Sequence, residues 1–228
     1  MKNRERIARK CAMDLSPNYR LINFGNGIPY DIPQYIDKEL KICILNEPGV
    51  IAYGACPPAE RGSPGFYDMR DAMNRPCASN PGGSFFDSSF SFSIIRGKHI
   101  DVSFLGGYQV DEQGNLANYA VPGKPVNGIG GAMDLCAGAK CVFVTIETTT
   151  KEGEARIVKE CDYPITGRNC VDRIYTETGV FSVSKDEGLT LLEIFPDYDI
   201  EQIRQLIPVG FHVAQDLKTI DLGISLCD

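Results

Sequence analysis

Apolar positions recur with two different periods along the chain. In residues 4–15, Ile7, Ala8, Cys11, Ala12 and Leu15 fall at helical spacing, with Arg4, Glu5, Arg9 and Lys10 between them. That spacing predicts an amphipathic helix, ended by Ser16-Pro17. Short continuous apolar runs at 21–24 and 41–46 predict buried strands. The first empties into Gly25-Asn26-Gly27-Ile28-Pro29 and the second into Glu47-Pro48-Gly49. Residues 30–38 between them read as a short helix behind a proline. The stretch 54–84 is rich in Gly, Pro, Ser and Asn and carries little periodicity, so it predicts long loops with at most one short strand.

Asp87 is placed to cap a helix that runs to residue 95, with Phe86, Phe90, Ile94 and Ile95 on one face. A strand over 101–105 runs into Gly106-Gly107. Gly128-Ile129-Gly130-Gly131 then opens a small-residue helix over 132–138, and Cys141-Val142-Phe143-Val144-Thr145-Ile146 is the strongest strand signal in the chain. Two more strands are expected at 180–183 and 189–195. Asp199 caps a last helix over 200–206, with Ile200, Ile203, Leu206 and Ile207 as its apolar positions. Helices alternate with strands, and the strands are continuous apolar runs. The expected fold class is therefore α/β: an open, largely parallel sheet covered by helices on both faces. No repeat, low-complexity tract or break in composition divides it, so one domain over residues 1–228 is expected.

Length and charge narrow the function. A chain of 228 residues buries roughly 70–75% of its unfolded surface and needs neither disulfide nor metal to hold a core. Thirty acidic against 23 basic residues give a net charge of −7 with no basic block, which argues against a nucleic-acid partner. No apolar run reaches the ~18 residues that span a bilayer, and the basic start lacks the apolar stretch of a secretory signal. The nine cysteines are odd in number and irregular in spacing, with no CxxC pair and only two histidines to help them. They read as reduced thiols packing as small core hydrophobes in a cytoplasmic protein, with no metal site.

In an open parallel sheet, ligands bind outside the carboxyl ends of the strands. The turns at Gly25–Pro29, Asn46–Gly49 and Gly128–Gly131 fit that rule, with glycines that let backbone N–H groups approach a ligand. Taken singly each is a weak signal: GNGIP is not GxGxxG, and GIGG lacks the Lys-Ser/Thr of a phosphate loop. Glu47 alone reads as a solvated loop carboxylate, although Pro48-Gly49 holds it in a turn.

Longer strings carry more. Ser84-Phe85-Phe86-Asp87-Ser88, and Phe92-Ser93-Ile94-Ile95-Arg96-Gly97-Lys98-His99-Ile100-Asp101, resemble the beta subunits of the short-chain 3-oxoacid coenzyme A-transferases. So do Leu105-Gly106-Gly107-Tyr108-Gln109-Val110, Gly114-Asn115-Leu116-Ala117-Asn118 and Val121-Pro122-Gly123-Lys124. The block Gly128-Ile129-Gly130-Gly131-Ala132-Met133-Asp134-Leu135 is the most specific, and Pro164-Ile165-Thr166-Gly167 and Val171-Asp172-Arg173-Ile174 follow in order. The similarity runs from about residue 3 to about residue 217.

The resemblance implies the activity: coenzyme A moves from an acyl thioester to a free short-chain or 3-oxo acid, such as acetoacetate, acetate or butyrate. The family's catalytic glutamate lies in a Ser-Glu-Asn-Gly turn, and the matching residue is Glu47 within Asn46-Glu47-Pro48-Gly49. Both polar neighbours differ, and Pro48 has no N–H to donate. By the same resemblance Gly130 and Gly131 would serve the oxyanion, Asn118 the substrate, and the Gly25 and Gly27 loop the coenzyme. Arg96, His99 and Gln109 also match the family but read as structural hydrogen-bonders. No resident cofactor is expected, since coenzyme A is a substrate. The implied partner is a separate alpha subunit in an alpha2beta2 hetero-oligomer. Two alternatives remain at this point: a thioester hydrolase using the same glutamate, which would release free coenzyme A without an acceptor acid, and a non-catalytic ligand-binding homologue.

Overall fold

The computed structural model describes residues 1–55, 71, 77–126 and 128–223. The chain opens with α1 (Asn3–Met13), β1 (Leu21–Phe24), a 3₁₀ segment (Ile28–Tyr35), β2 (Cys43–Asn46), β3 (Val50–Ala55) and β4 (Cys77–Phe85). Next come α2 (Ser88–Arg96), β5 (Val102–Gly106), β6 (Gln109–Asp111), β7 (Leu116–Ala117), α3 (Ala132–Gly138) and β8 (Cys141–Thr145). They are followed by β9 (Ile157–Val158), β10 (Arg173–Tyr175), β11 (Gly179–Ser184), β12 (Gly188–Ile194), α4 (Ile200–Leu206) and β13 (Phe211–Thr219).

Among the described residues ten strands form one sheet in the order β13-β12-β11-β10-β8-β5-β1-β2-β3-β4. Its centre is parallel: β2, β1, β5, β8 and β10 pair side by side in the same direction. Antiparallel ladders extend both ends, β2 to β3 to β4 on one side and β10 to β11 to β12 on the other. A small second sheet places β6 between β7 and β9.

Alternate residues of the central strands feed two cores. Ile22, Phe24, Val102, Phe104, Phe143 and Tyr175 pack under α1, where Ile7, Ala8 and Cys11 are fully buried. Leu105, Val142, Val144 and Ile174 face the other way, against Ile95 of α2, Leu135 of α3 and Ile203 of α4. With both faces covered, these strands read as nearly continuous apolar runs, broken only by buried polar residues such as Asn23 and Ser103. Each buried Ile or Phe contributes about 1.5–3 kcal/mol to this arrangement.

The helices match their expected positions, with local corrections. Asp87 accepts the Phe90 N–H at 3.0 Å, capping α2. Its buried face, however, is Ser91 and Ile95, while Phe90 is 55% exposed. The cap sets the helical phase, and contact with the end of β2 turns the serine inward, where its hydroxyl donates to the Asn46 C=O at 3.3 Å. Asp199 and Gln202 form a reciprocal capping box on α4. Lys10 is buried rather than solvated, paired with Asp14 at 2.6 Å and Glu193 at 2.8 Å. The helix expected over 30–38 is the 3₁₀ segment.

The loops expected over 54–84 need revision where they are described. Residues 77–85 are strand, paired antiparallel with β3, and residues 56–70 and 72–76 lie outside the described residues. Cys77–Phe85 carries Pro81, Gly82 and Gly83, so cross-strand pairing, not propensity, makes it a strand.

Candidate active site

The carboxyl ends of β1, β2, β5 and β8 meet at one end of the parallel sheet. There they border a cavity of about 1010 Å³. Glu47, Gly25, Gly27, Asn118, Gly130 and Gly131 all line it. Residues scattered over more than a hundred positions of sequence are thus brought to one place.

Glu47 sits at the tip of the β2–β3 hairpin, one residue beyond the last cross-strand pair, Asn46 with Val50. Gly49 closes the tip, its N–H donating to the Asn46 C=O at 3.0 Å and its C=O accepting the Phe86 N–H at 3.0 Å. Its φ is +112°, and a Cβ there would lie 1.9 Å from the Phe86 carbonyl oxygen. Only glycine fits that backbone. The hairpin is a feature that the strand-then-turn reading of the sequence did not contain.

Beneath the tip, Asn23 is fully buried in β1. Its amide nitrogen donates to the Leu45 C=O at 3.1 Å, and its oxygen accepts the Ser103 hydroxyl at 3.2 Å. The Asn23 side chain also hydrogen-bonds the Glu47 carboxylate. Burial raises the Glu47 pKa above the usual glutamate value, while that hydrogen bond and one to backbone N–H pull the other way. Burial is the largest of the three influences, so the net shift is upward. The result is a carboxyl group whose charged form gives up solvation to sit in the cavity.

Gly131 stands directly opposite. A Cβ on it would lie 3.2 Å from Glu47 Cγ and 3.2 Å from the Phe92 ring. The other expected residues are positioned less freely. The Gly25 N–H is committed to the Phe104 C=O at 2.8 Å, and the Gly27 C=O accepts Arg4 Nη2 at 2.6 Å. Asn118 donates to the Gly106 C=O at 3.1 Å and accepts the Thr166 hydroxyl at 2.7 Å. One amide hydrogen and one oxygen lone pair are left to it. Gln109 is engaged by the Asp162 and Tyr163 N–H groups. Arg96 is exposed and pairs with Asp134 at 2.6 Å, and His99 is exposed; none of these three lines the cavity.

The cavity also recruits residues that sequence reading missed: Asn23 beneath it, and Arg4, Phe92, Glu147 and Arg156 on its walls. Asn23 had a readable signal, a polar residue inside the apolar run LINF. Glu147 follows the strongest strand. Arg156 had none, because its place depends on β9 docking against β6.

A half-buried glutamate at the carboxyl edge of a parallel sheet, close to a glycine turn on the wall of a large cavity, lies where α/β enzymes bind their ligands. The chain belongs to the coenzyme A transferase family, whose model matches residues 4–206. It is 39% identical over 223 residues to the beta chain of the acetate CoA-transferase of Haemophilus influenzae, covering 98% of this chain and 97% of that one. It is 38% identical over 205 residues to one of the subunits of the 3-oxoadipate CoA-transferase of Acinetobacter baylyi, covering 89% of this chain and 92% of that one. Among solved structures, the acyl-CoA transferase apoenzyme of Escherichia coli O157:H7 superposes with a TM-score of 0.76 at 21% identity. That match covers 97% of this chain and 44% of the solved chain, and it bears on the fold.

Proposed function

We propose that this chain is the beta subunit of an acyl-CoA:carboxylate CoA-transferase that works by a ping-pong route through a glutamyl–coenzyme A thioester on Glu47. The observation that carries the reading is the Glu47 carboxylate itself, desolvated at a rigid hairpin tip and pressed against Gly131.

A glutamate with an ordinary pKa of about 4.3 is already an anion at neutral pH and needs no general base. The Glu47 carboxylate attacks the acyl carbon, the C–S bond breaks, and a mixed anhydride and the coenzyme A thiolate result. The thiolate then attacks the glutamyl carbonyl, expelling the first acid and leaving the enzyme thioester. The second acid attacks that thioester through its carboxylate. The released thiolate attacks the new acyl carbon and returns Glu47 as a carboxylate. No water and no redox partner enters the balance.

Each attack passes through a tetrahedral oxyanion, for which the N–H groups of Gly130 and Gly131 are the donors we assign. Asn118 borders the substrate with its uncommitted amide hydrogen, and the Gly25–Gly27 turn carries part of the coenzyme. Every intermediate hydrolyses readily, so water exclusion is part of the task. The site is completed by an alpha subunit, and the cysteines that are unpaired among the described residues suit a cytoplasmic setting.

The test is intact-mass analysis of the alpha–beta complex after exposure to acetyl-CoA. The beta chain gains the mass of coenzyme A less water, and Glu47→Ala does not. A label on a cysteine, or steady release of coenzyme A with no acceptor acid present, counts against the reading.

A further inference from the structure

The cavity walls carry two guanidinium groups among the described residues, and they are in different states. Arg4 is committed: it pairs with Asp31 and donates to the Gly27 C=O at 2.6 Å. The half-buried Arg156 guanidinium has no hydrogen bond or ion pair with any described residue. Its backbone is nonetheless fixed on both sides. The N–H donates to the Thr148 C=O at 2.9 Å, the C=O accepts the Val110 N–H at 2.9 Å, and β9 begins at the next residue. Glu147, the other carboxylate on the wall, is held by the Asn3 amide at 3.3 Å and makes no ion pair with Arg156. A permanently charged fork of donors on rigid backbone is thus presented to the cavity unmatched.

Its position says which part of a substrate it meets. Arg156 is bonded through its N–H to Thr148, three residues beyond the end of β8, and β5 and β8 are two and three ladders away from β2 in the sheet. At about 4.8 Å per ladder, that places Arg156 on the order of 10–14 Å of sheet width from the hairpin that carries Glu47. The reacting carbon lies at Glu47, so Arg156 meets the far end of the acyl group.

We propose that Arg156 is a specificity residue that pairs with a second carboxylate, remote from the thioester, so that the preferred acyl donors and acceptors are dicarboxylic rather than simple alkanoic acids. This rests on the transferase reading above. A guanidinium fork donates two parallel hydrogen bonds to a carboxylate, a geometry an alkyl chain cannot use. A simple alkanoyl chain leaves the same charge unpaired, and a site built for a polar partner discriminates against substrates that lack it.

The experiment uses the alpha–beta complex and reads the rate of glutamyl–coenzyme A formation on the beta chain at subsaturating succinyl-CoA or acetyl-CoA. The native complex reacts faster with succinyl-CoA. Arg156→Gln lowers the succinyl-CoA rate on the order of 100-fold and the acetyl-CoA rate less than about 3-fold, and Arg156→Lys recovers part of the succinyl-CoA rate because the charge is kept. Equal losses with both donors assign Arg156 to the coenzyme phosphates or to the contact with the alpha chain and overturn the proposal, as does no loss with either. A native complex that forms an adduct on Glu47 from both donors without this selectivity refutes the role of Arg156 alone. Absence of any adduct on Glu47 refutes the transferase reading and this inference with it.

Discussion

Gly131 and Glu47 face each other closely: a Cβ on Gly131 would lie 3.2 Å from Glu47 Cγ, so the glutamate would have to give way by a few tenths of an ångström. Because Gly131 has φ −83° and ψ 3°, any L-residue tolerates its backbone. The preference for glycine there is imposed by Glu47 and by Phe92, not by the turn. Gly131→Val therefore lowers single-turnover formation of the glutamyl thioester by about 100-fold or more, while the melting temperature moves by roughly 2–4 °C at most. Melting and single-turnover measurements on the same preparation separate this from a packing defect. Normal thioester formation in a stable variant ends the oxyanion assignment for this glycine.

Gly49 gives the opposite pattern. With φ +112° and a Cβ position 1.9 Å from the Phe86 carbonyl oxygen, Gly49→Ala must move the hairpin or the strand it docks on. A loss of about 3 kcal/mol or more is expected, or roughly 6–12 °C in melting temperature. Activity falls with stability, because the hairpin is the mount for Glu47. An unchanged melting temperature would show that the β2–β3 tip relaxes freely.

The raised pKa of Glu47 has a kinetic signature. In the proposed mechanism the carboxylate is the attacking form, so the acid limb of the single-turnover rate is expected above the ordinary glutamate value of about 4.3. Asn23→Ala removes a hydrogen bond that favours the anion, and the limb moves to higher pH. Its second effect is a stability loss of about 1–3 kcal/mol, since the Ser103 hydroxyl and the Leu45 carbonyl lose their partner. A limb that stays put or moves down rules out the Asn23 contribution.

The same shift appears in stability. Burial raises the folded-state pKa of Glu47 above the unfolded value, so the native state binds more protons between the two values. Stability contributed at this position falls as pH rises through that window, and the full penalty applies above the folded value. Glu47→Gln removes the charge, so it melts higher than the native chain at pH 7.5. The difference closes below about pH 4.3, where both side chains are neutral. A variant that is less stable at pH 7.5 than the native chain would mean that the carboxylate is a net stabiliser.

The parallel strands β1, β2, β5 and β8 and the helices α1, α2, α3 and α4 were legible in the sequence because their signals are local. Nearly continuous apolar runs mark the central strands, and the caps at Asp87 and Asp199 mark two helix starts. β10, β13 and β4 were not legible. Arg173–Tyr175 is three residues long, Phe211–Thr219 is largely polar at a sheet edge, and Cys77–Phe85 contains a proline and two glycines. Each is a strand because a neighbouring strand supplies its hydrogen bonds, and that information lies elsewhere in the chain.

The site divides in the same way. The residues themselves determined that a carboxylate ends the second strand and that glycines precede the 132–138 helix, and family resemblance joined the two. Only the tertiary structure decided that Glu47 stands on a hairpin tip, that Asn23 supports it from the floor, and that Arg4 is neutralised while Arg156 is left unpaired among the described residues. These are distances between segments far apart in sequence. Burial, which sets the charge state of Glu47, comes from everything packed around it, so a linear reading can name the glutamate but not its acidity.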